Sequence, residues 1–260
     1  MAQSTKRLIK SSMRRLGFHV GRLSPATSPA LQLLKGLEHF GIEFIFDIGA
    51  NRGQFASELL SFGYRGRIAS FEPLVDAHRD LAMAAADSAQ WDVAGRTAIG
   101  DFDGEIEFNI AGNSVSSSAL PMLDSHAFAS TDSAYVGKVQ VPIVKLDSIA
   151  AEYRQNVDKF LIKIDTQGFE WQVLDGAPET LAQATGVLCE LSLVPLYEGQ
   201  QLWLSLIQRL ASEGFTLWSL QNGFTDRRNG RTLQVNATFF RAGEERPGQQ
   251  VPRAQAYNLS

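Results

Sequence analysis

The sequence predicts an α/β fold: a doubly wound, mostly parallel sheet with an antiparallel edge and an inserted β-ribbon. Three observations predict it. Short apolar runs alternate with amphipathic ones, a glycine-bearing turn directly follows the first apolar run, and a period-two stretch in mid-chain interrupts the alternation. Short apolar strands separated by helices imply a sheet covered on both faces.

Taken in order, residues 25–29 (Pro-Ala-Thr-Ser-Pro) read as a linker and residues 31–40 as a helix leading into the domain. Residues 43–47 form the first strand, 54–62 a helix, 67–71 the second strand and 77–86 an Ala-rich helix. Residues 91–99 are the third strand, weakened by Gly95. Period-two patterning over 105–110 and 139–144 flanks a Ser-rich segment, Asn113 to Ser118, which is expected to be a mobile lid on a β-ribbon. The alternation then resumes: helix 147–153, strand 160–165, helix 170–174, a further helix opened by Pro178, strand 187–191 and helix 202–211. Strands 216–220 and 233–240 follow one another without a long helix and form the antiparallel edge. The expected organisation is a basic segment and linker over 1–30, one domain over 31–241, and a polar, Pro/Gly-bearing tail over 242–260 that is disordered.

With 44% hydrophobic and 20% charged residues, 260 residues bury a substantial core without disulfides or a structural metal. A net charge of −4 gives no global attraction to phosphate backbones, which excludes nucleic acid as the expected partner. The single cysteine, Cys189, lies in an apolar run and reads as a buried, inert thiol. With no apolar stretch of membrane-spanning length and no secretory signal, the expected location is the cytoplasm. The first 22 residues carry Lys6, Arg7, Lys10, Arg14, Arg15 and Arg22 and no acid, while Ile9, Met13, Leu16 and Val20 recur at helical spacing. This pattern fits a basic amphipathic helix in peripheral contact with an anionic membrane face. The favoured alternative is a helix packed on the domain with its charges in water, because the apolar stripe is narrow and holds no Trp.

In a doubly wound sheet the ligand binds beyond the carboxyl ends of the strands, where the first strand turns into the first helix. Phe46-Asp47-Ile48-Gly49-Ala50-Asn51-Arg52-Gly53 occupies that turn. Gly49 lets a ligand approach the backbone and Gly53 permits close passage into the helix. The Gly-x-x-x-Gly spacing lacks the extra glycine of a dinucleotide fingerprint and suits a pyrophosphate less well, whereas Asp47 suits a cationic amino-acid group. Glu72 ends the second strand before Pro73, where a carboxylate accepts both hydroxyls of a ribose; its alternative is a helix-capping acid. Asp101, after Ile99-Gly100, is placed to meet the exocyclic amine of adenine or to serve as an ordinary turn residue. The candidate nucleoside contacts are therefore Asp47, Gly49, Asn51, Gly53, Glu72 and Asp101.

The candidate catalytic residues are Asp165, Glu190 and His126. Asp165 closes the strand Lys163-Ile164-Asp165 at the same carboxyl edge as Asp47 and Glu72, where it is placed to orient an acceptor hydroxyl, act as general base or bind a divalent cation. Glu190 is an acid inside an apolar run and needs a partner: Lys163 in an ion pair, a metal, or a substrate hydroxyl. No ligand spacing identifies a metal, so the divalent cation stays open. His126, downstream of the Ser-rich segment, is either a base that swings over the site or a solvated loop residue. Ser116, Ser117 and Ser118 either hydrogen-bond a polyhydroxylated acceptor or form a flexible linker.

These residues and their order resemble the FkbM-type family of S-adenosylmethionine-dependent methyltransferases. The resemblance runs from about residue 44 to 240 and rests on four segments: the Phe46–Gln54 turn, Ser70-Phe71-Glu72-Pro73, Leu161 to Glu170, and Cys189-Glu190-Leu191 followed by Pro195-Leu196-Tyr197. It implies a Rossmann-like domain that uses S-adenosyl-L-methionine to methylate oxygen, typically a hydroxyl of a sugar, glycolipid or polyketide. Two other classes share parts of the pattern. A nicotinamide-dependent oxidoreductase has the same strand-turn-helix and terminal acid, but no hydride-transfer pair such as Tyr-x-x-x-Lys is evident. A non-catalytic nucleoside-binding module partnering a glycosylation enzyme conflicts with acids retained at four strand ends. Neither the acceptor nor the oligomeric state is legible.

Overall fold

Phe44, Ile45, Phe46, Asp47 and Ile48 are all buried, which requires their strand to be covered on both faces. In the computed structural model, which describes residues 7, 11–18 and 21–244, this strand is β1 (Phe44–Ile48), at the centre of a seven-stranded sheet. Beside it lie β2 (Arg67–Phe71) and β7 (Phe160–Ile164), both parallel to it. Beyond them are β3 (Trp91–Val93) on one side and β8 (Gly186–Ser192) on the other. The antiparallel finish is supplied by β12 (Gln234–Arg241), which pairs antiparallel with both β8 and β9 (Phe215–Asn222). The edge strand is therefore β9, and β12 lies inside it.

Alternation along β1 and β7 sorts the core into two layers. Phe44, Phe46, Ile48, Phe160, Ile162 and Ile164 face one layer. Ile45 and Leu161 face the other, against α1 (Pro29–Phe40), α2 (Gln54–Ser61) and α3 (Val75–Ala85). Ser28 caps α1, its Oγ accepting a bond from the Leu31 amide at 3.3 Å, and Pro29 takes the first helical position, where its missing N–H costs nothing. The helix thus begins inside the stretch expected to be linker.

One expected strand divides. Residues 91–99 break after Val93 at a bend through Gly95, and the second half becomes β4 (Ala98–Gly100). It leaves the main sheet and pairs parallel with β6 (Tyr135–Lys145). β6 also pairs antiparallel with β5 (Gly104–Ala111), so the inserted ribbon is present as a three-stranded sheet in the order β4-β6-β5. The Ser-rich segment is no open linker. Ser116, Ser117 and Ser118 are buried, Ser117 Oγ accepts from the Ala111 amide at 2.9 Å, and Ser118 Oγ donates to the Gln167 carbonyl at 2.7 Å. A short helix not expected from the sequence, α4 (Asp124–Ala129), follows it.

The remaining elements are α5 (Leu146–Arg154), α6 (Glu170–Asp175), α7 (Pro178–Gln183) and α8 (Trp203–Ser212), with a hairpin of β10 (Thr225–Asp226) and β11 (Arg231–Thr232). Most of the tail expected to be disordered, and part of the basic N-terminal segment, lie outside the described residues. Among the described residues no helix is long and apolar enough to cross a membrane.

Candidate active site

A cavity of about 410 Å³ opens at the carboxyl ends of β1, β2, β7 and β8, roofed by the ribbon and α4. The β1 turn supplies one wall. Gly49 has φ +74°, and a Cβ there would lie 1.9 Å from the Asp165 carbonyl oxygen. The residue must be glycine because the turn presses on the end of β7, a constraint that applies before any ligand arrives. Gly53, at φ +84°, sits under the Trp91 ring, which a Cβ would meet at 2.6 Å; it packs α2 against β3.

Glu72, at the end of β2, lines the cavity and is 5% exposed. Its Oε1 accepts from the Leu74 amide at 2.8 Å and its Oε2 from the Asn51 amide at 2.9 Å. The carboxylate therefore does cap the start of α3, and it also ties the β1 turn to β2. Each oxygen keeps a further lone pair, so capping and acceptance of ligand hydroxyls are compatible. Burial, only partly offset by these two bonds, raises Glu72 from 4.5 to about 7. Replacing it with Ala is expected to weaken S-adenosylhomocysteine binding at least tenfold, measured by calorimetry. Because the folded protein holds the Glu72 proton up to about pH 7, its stability advantage over the variant is greatest below pH 4.5. That advantage is lost as pH rises through 7, by on the order of 3 kcal/mol. Urea denaturation at pH 5 and 8 measures this, and an advantage unchanged between the two would show the carboxylate charged throughout.

Asp47 is fully buried and does not line the cavity. Its Oδ2 accepts from Ser70 Oγ at 2.9 Å, and its Oδ1 lies 2.9 Å from Lys163 Nζ. A direct contact of Asp47 with a cationic ligand group is thus replaced by an internal ion pair between residues that stand opposite each other in the β1–β7 register. Lys163 also donates to the Gly49 carbonyl at 2.9 Å and is 3.8 Å from Asp165 Oδ2. Burial opposes its charge, but Asp47, Asp165 and Glu190 outweigh burial and hold its pKa above the ordinary value. Lys163→Met leaves Asp47 buried with Ser70 as its remaining partner, so a loss of roughly 3–5 kcal/mol is expected in chemical denaturation. A loss below about 1 kcal/mol would mean the pair contributes little.

A Lys163–Glu190 ion pair, one of the alternatives open for Glu190, is not formed. Glu190 Oε2 instead accepts two side-chain amides, Gln167 Nε2 and Gln234 Nε2, each at 2.7 Å. Asp165, with its side chain 35% exposed, opens into the cavity beside it and accepts from the same Gln167 Nε2 at 2.8 Å. Burial, reinforced by Asp165 and Glu170, pushes Glu190 well above the usual carboxyl range. Glu170 itself is buried and closes the turn after β7, taking the Thr166 and Gly168 amides at 3.1 and 3.0 Å. Among the described residues no three His, Cys, Asp or Glu side chains converge in metal-binding geometry.

His126 is no solvated loop residue. It lies in α4, 2% exposed, edge-on to the Tyr197 ring, and lines the cavity with its Nδ1 unpartnered. Burial lowers it to about 4, so at neutral pH it is an uncharged hydrogen-bonding group and a weak base. Asp101 is exposed and does not line the cavity, although Thr97, Ala98 and Ile99 just before it do. Asn51, at φ +47°, turns its side chain towards Ser114. Residues the sequence left unassigned contribute more: Gln167, Gln234 and Tyr197, together with the apolar wall of Phe71, Leu74, Ile99 and Phe169. Gln167 and Tyr197 stood inside the motif segments; Gln234 carried no signal.

A nucleoside fits this donor set, with Glu72 for ribose hydroxyls and the apolar wall for a flat base. The sheet order β3-β2-β1-β7-β8, closed by the antiparallel β12, carries an acid at the end of β2, and the family match shows the class: S-adenosylmethionine-dependent methyltransferases. Residues 47–217 match the methyltransferase FkbM domain, and the chain belongs to that family. S-adenosylmethionine is accordingly the expected cofactor. No curated protein matches. Among solved structures the chain is similar to a putative RNA methyltransferase from Pyrococcus horikoshii (12% identity, 82% of this chain and 83% of that one, TM-score 0.43). It is also similar to magnesium protoporphyrin IX methyltransferase from Synechocystis with bound SAM (11% identity, 91% and 96%, TM-score 0.44). A third is an rRNA methylase from Streptococcus thermophilus (9% identity, 85% and 99%, TM-score 0.45). At such identities the likeness is one of fold.

Proposed function

We propose that the protein is an O-methyltransferase acting on a hydroxyl of a sugar, glycolipid or polyketide-type acceptor. The observation that carries this reading is the pair Asp165 and Glu190, at the carboxyl ends of neighbouring strands, opening into the same cavity as Glu72 and the Gly49 turn. S-adenosylmethionine supplies a methyl group already activated on a sulfonium, so the weak nucleophilicity of the hydroxyl is what the protein must overcome. Asp165 takes the hydroxyl proton, and Glu190 holds the acceptor through Oε1, the oxygen not engaged by the two amides. A positioned base contributes roughly two to four orders of magnitude, and proximity to the methyl group more.

Among the described residues the charged side chains of the wall are Glu72, Lys163, Asp165 and Glu190, and Lys163 is committed to Asp47. This balance supports a neutral acceptor over one bearing phosphate. In this reading the enzyme works in the cytoplasm, with its basic N-terminal residues against anionic headgroups when the acceptor is a glycolipid. Calorimetry with S-adenosylhomocysteine and with NAD tests the cofactor; tight NAD binding without S-adenosylhomocysteine binding would replace the proposal with an oxidoreductase. Release of S-adenosylhomocysteine on addition of neutral glycosides, but not of their phosphorylated counterparts, tests the acceptor. Cofactor binding with no turnover across glycosides and polyketide alcohols would favour the non-catalytic module.

A further inference from the structure

Between Asp165 and Glu190, the two acids on which the methyl-transfer reading rests, lies the side-chain amide of Gln167. One –NH₂ group has two hydrogens, and it directs one to each acid, at 2.8 Å from Asp165 Oδ1 and 2.7 Å from Glu190 Oε2. Behind it, Gln167 Oε1 accepts the Tyr197 hydroxyl at 2.9 Å. Turning the amide over would aim its oxygen at two acid oxygens, so the pair of acids fixes which end faces them. The backbone is held as well. Gln167 has φ +53°, a left-handed conformation that costs a non-glycine residue on the order of 1 kcal/mol or more. Its carbonyl is fixed by Ser118 Oγ, and the next residue, Gly168, presses on the Tyr197 ring, which a Cβ would meet at 2.9 Å.

We propose that Gln167 is the positioning residue of this acid pair, its amide holding Asp165 and Glu190 at a fixed spacing in the place a divalent cation would otherwise take. A cation needs oxygen lone pairs converging at about 2.0–2.6 Å. Here the converging lone pairs meet N–H groups, and Glu190 Oε2 already accepts a second amide from Gln234. Admitting a metal requires Gln167 to rotate out and give up Tyr197. The groups facing the pair are Lys163, on the Asp165 side, and Glu170, which burial raises to about 7 and which, as it ionises, adds negative charge next to both. In that field the arrangement favours one proton retained on Glu190. Because Oε2 accepts two donors, that proton sits on Oε1 and is offered to the cavity. The two acids therefore differ in role: Asp165 accepts a proton and Glu190 orients the acceptor.

Glutamate at 167 keeps the shape of the side chain but turns the bridging donor into an acceptor, which provides the test. Mn²⁺ binding to the full chain is followed by electron paramagnetic resonance, with S-adenosylhomocysteine binding as the check on folding. Wild type is expected to show no saturable Mn²⁺ binding up to millimolar concentration. Gln167→Glu is expected to gain a site at least tenfold tighter, which a second substitution, Asp165→Asn, abolishes. Saturable Mn²⁺ binding by wild type that disappears in Asp165→Asn overturns the proposal, as does a folded Gln167→Glu protein that binds none. Gln167→Leu supplies an independent arm if the glutamate variant fails to fold. The Glu190 carboxyl, followed by ¹³C NMR and assigned with Glu190→Gln, should titrate higher without the bridging amide, which favours its charged form, and an unchanged titration refutes the positioning role. None of these readouts requires turnover, so failure of the O-methyltransferase reading is distinguishable from failure of this one.

Discussion

Asp165→Asn is expected to lower turnover by roughly two orders of magnitude or more while leaving S-adenosylhomocysteine affinity nearly unchanged. The substitution preserves the shape of a side chain that accepts from Gln167 and lies 3.8 Å from Lys163, and it removes the charge that takes the acceptor proton. Cofactor affinity should hold because Glu72 and the Gly49 turn, the groups placed to bind the nucleoside, are untouched. Comparing S-adenosylhomocysteine release with its calorimetric binding separates the two effects. Turnover close to wild type would remove Asp165 from the chemistry and leave it as a partner of the Gln167 turn, shifting the base to Glu190 or His126. His126 is poorly suited to that work, since burial holds it at about 4. If the bridging amide replaces a cation, turnover should also survive a chelator and gain nothing from added Mg²⁺ or Mn²⁺.

Gly49→Ala should have the largest structural effect. A Cβ placed 1.9 Å from the Asp165 carbonyl oxygen overlaps backbone, which no rotamer change relieves, and φ +74° adds strain for any L side chain. The ends of β1 and β7 must part, displacing Lys163, which donates to the Gly49 carbonyl, and Asp165 with it. A loss of about 4 kcal/mol or more is expected, together with loss of S-adenosylhomocysteine binding. Gly63→Ala is the control. It has φ +98° but nothing within 4 Å of its Cβ, so it carries strain alone and should cost about 1–2 kcal/mol with binding intact. Equal effects at the two positions would mean that conformation, and not the contact with Asp165, makes Gly49 necessary.

The elements most legible in the sequence were those whose environment is uniform along their length. β1, β2 and β7 are buried on both faces, so each is a short, mainly apolar run holding a buried polar residue (Asp47, Ser70 or Lys163), and their positions are readable within a residue or so. Residues 91–99 read as one strand because two short strand-like segments, Trp91–Val93 and Ala98–Gly100, stand close together across Gly95. Nothing local says that Trp91–Val93 joins the main sheet while Ala98–Gly100 joins the ribbon. The Ser-rich segment has the composition of a linker, but Ser117 bonds back to Ala111 within the segment's own ribbon and Ser118 reaches Gln167, a partner far along the chain and invisible in a local pattern.

The sequence by itself determined the strand-helix order, the ribbon insertion, the glycine turn, and the placing of Glu72, Asp165 and Glu190 at carboxyl ends of strands, because periodicity and chain direction are local properties. Partnership was decided only by the tertiary structure. Lys163 pairs with Asp47 and not Glu190 because register sets Asp47 opposite Lys163 across β1 and β7, while in β8 the residue opposite Lys163 is Leu188. Glu190 is left to Gln167 and to Gln234, which stands two residues from its cross-strand neighbour Asn236 and arrives from β12 late in the chain. A buried acid requires compensation wherever it lies, so its need is written in the sequence. Which group meets that need depends on the register of strands far apart in the chain.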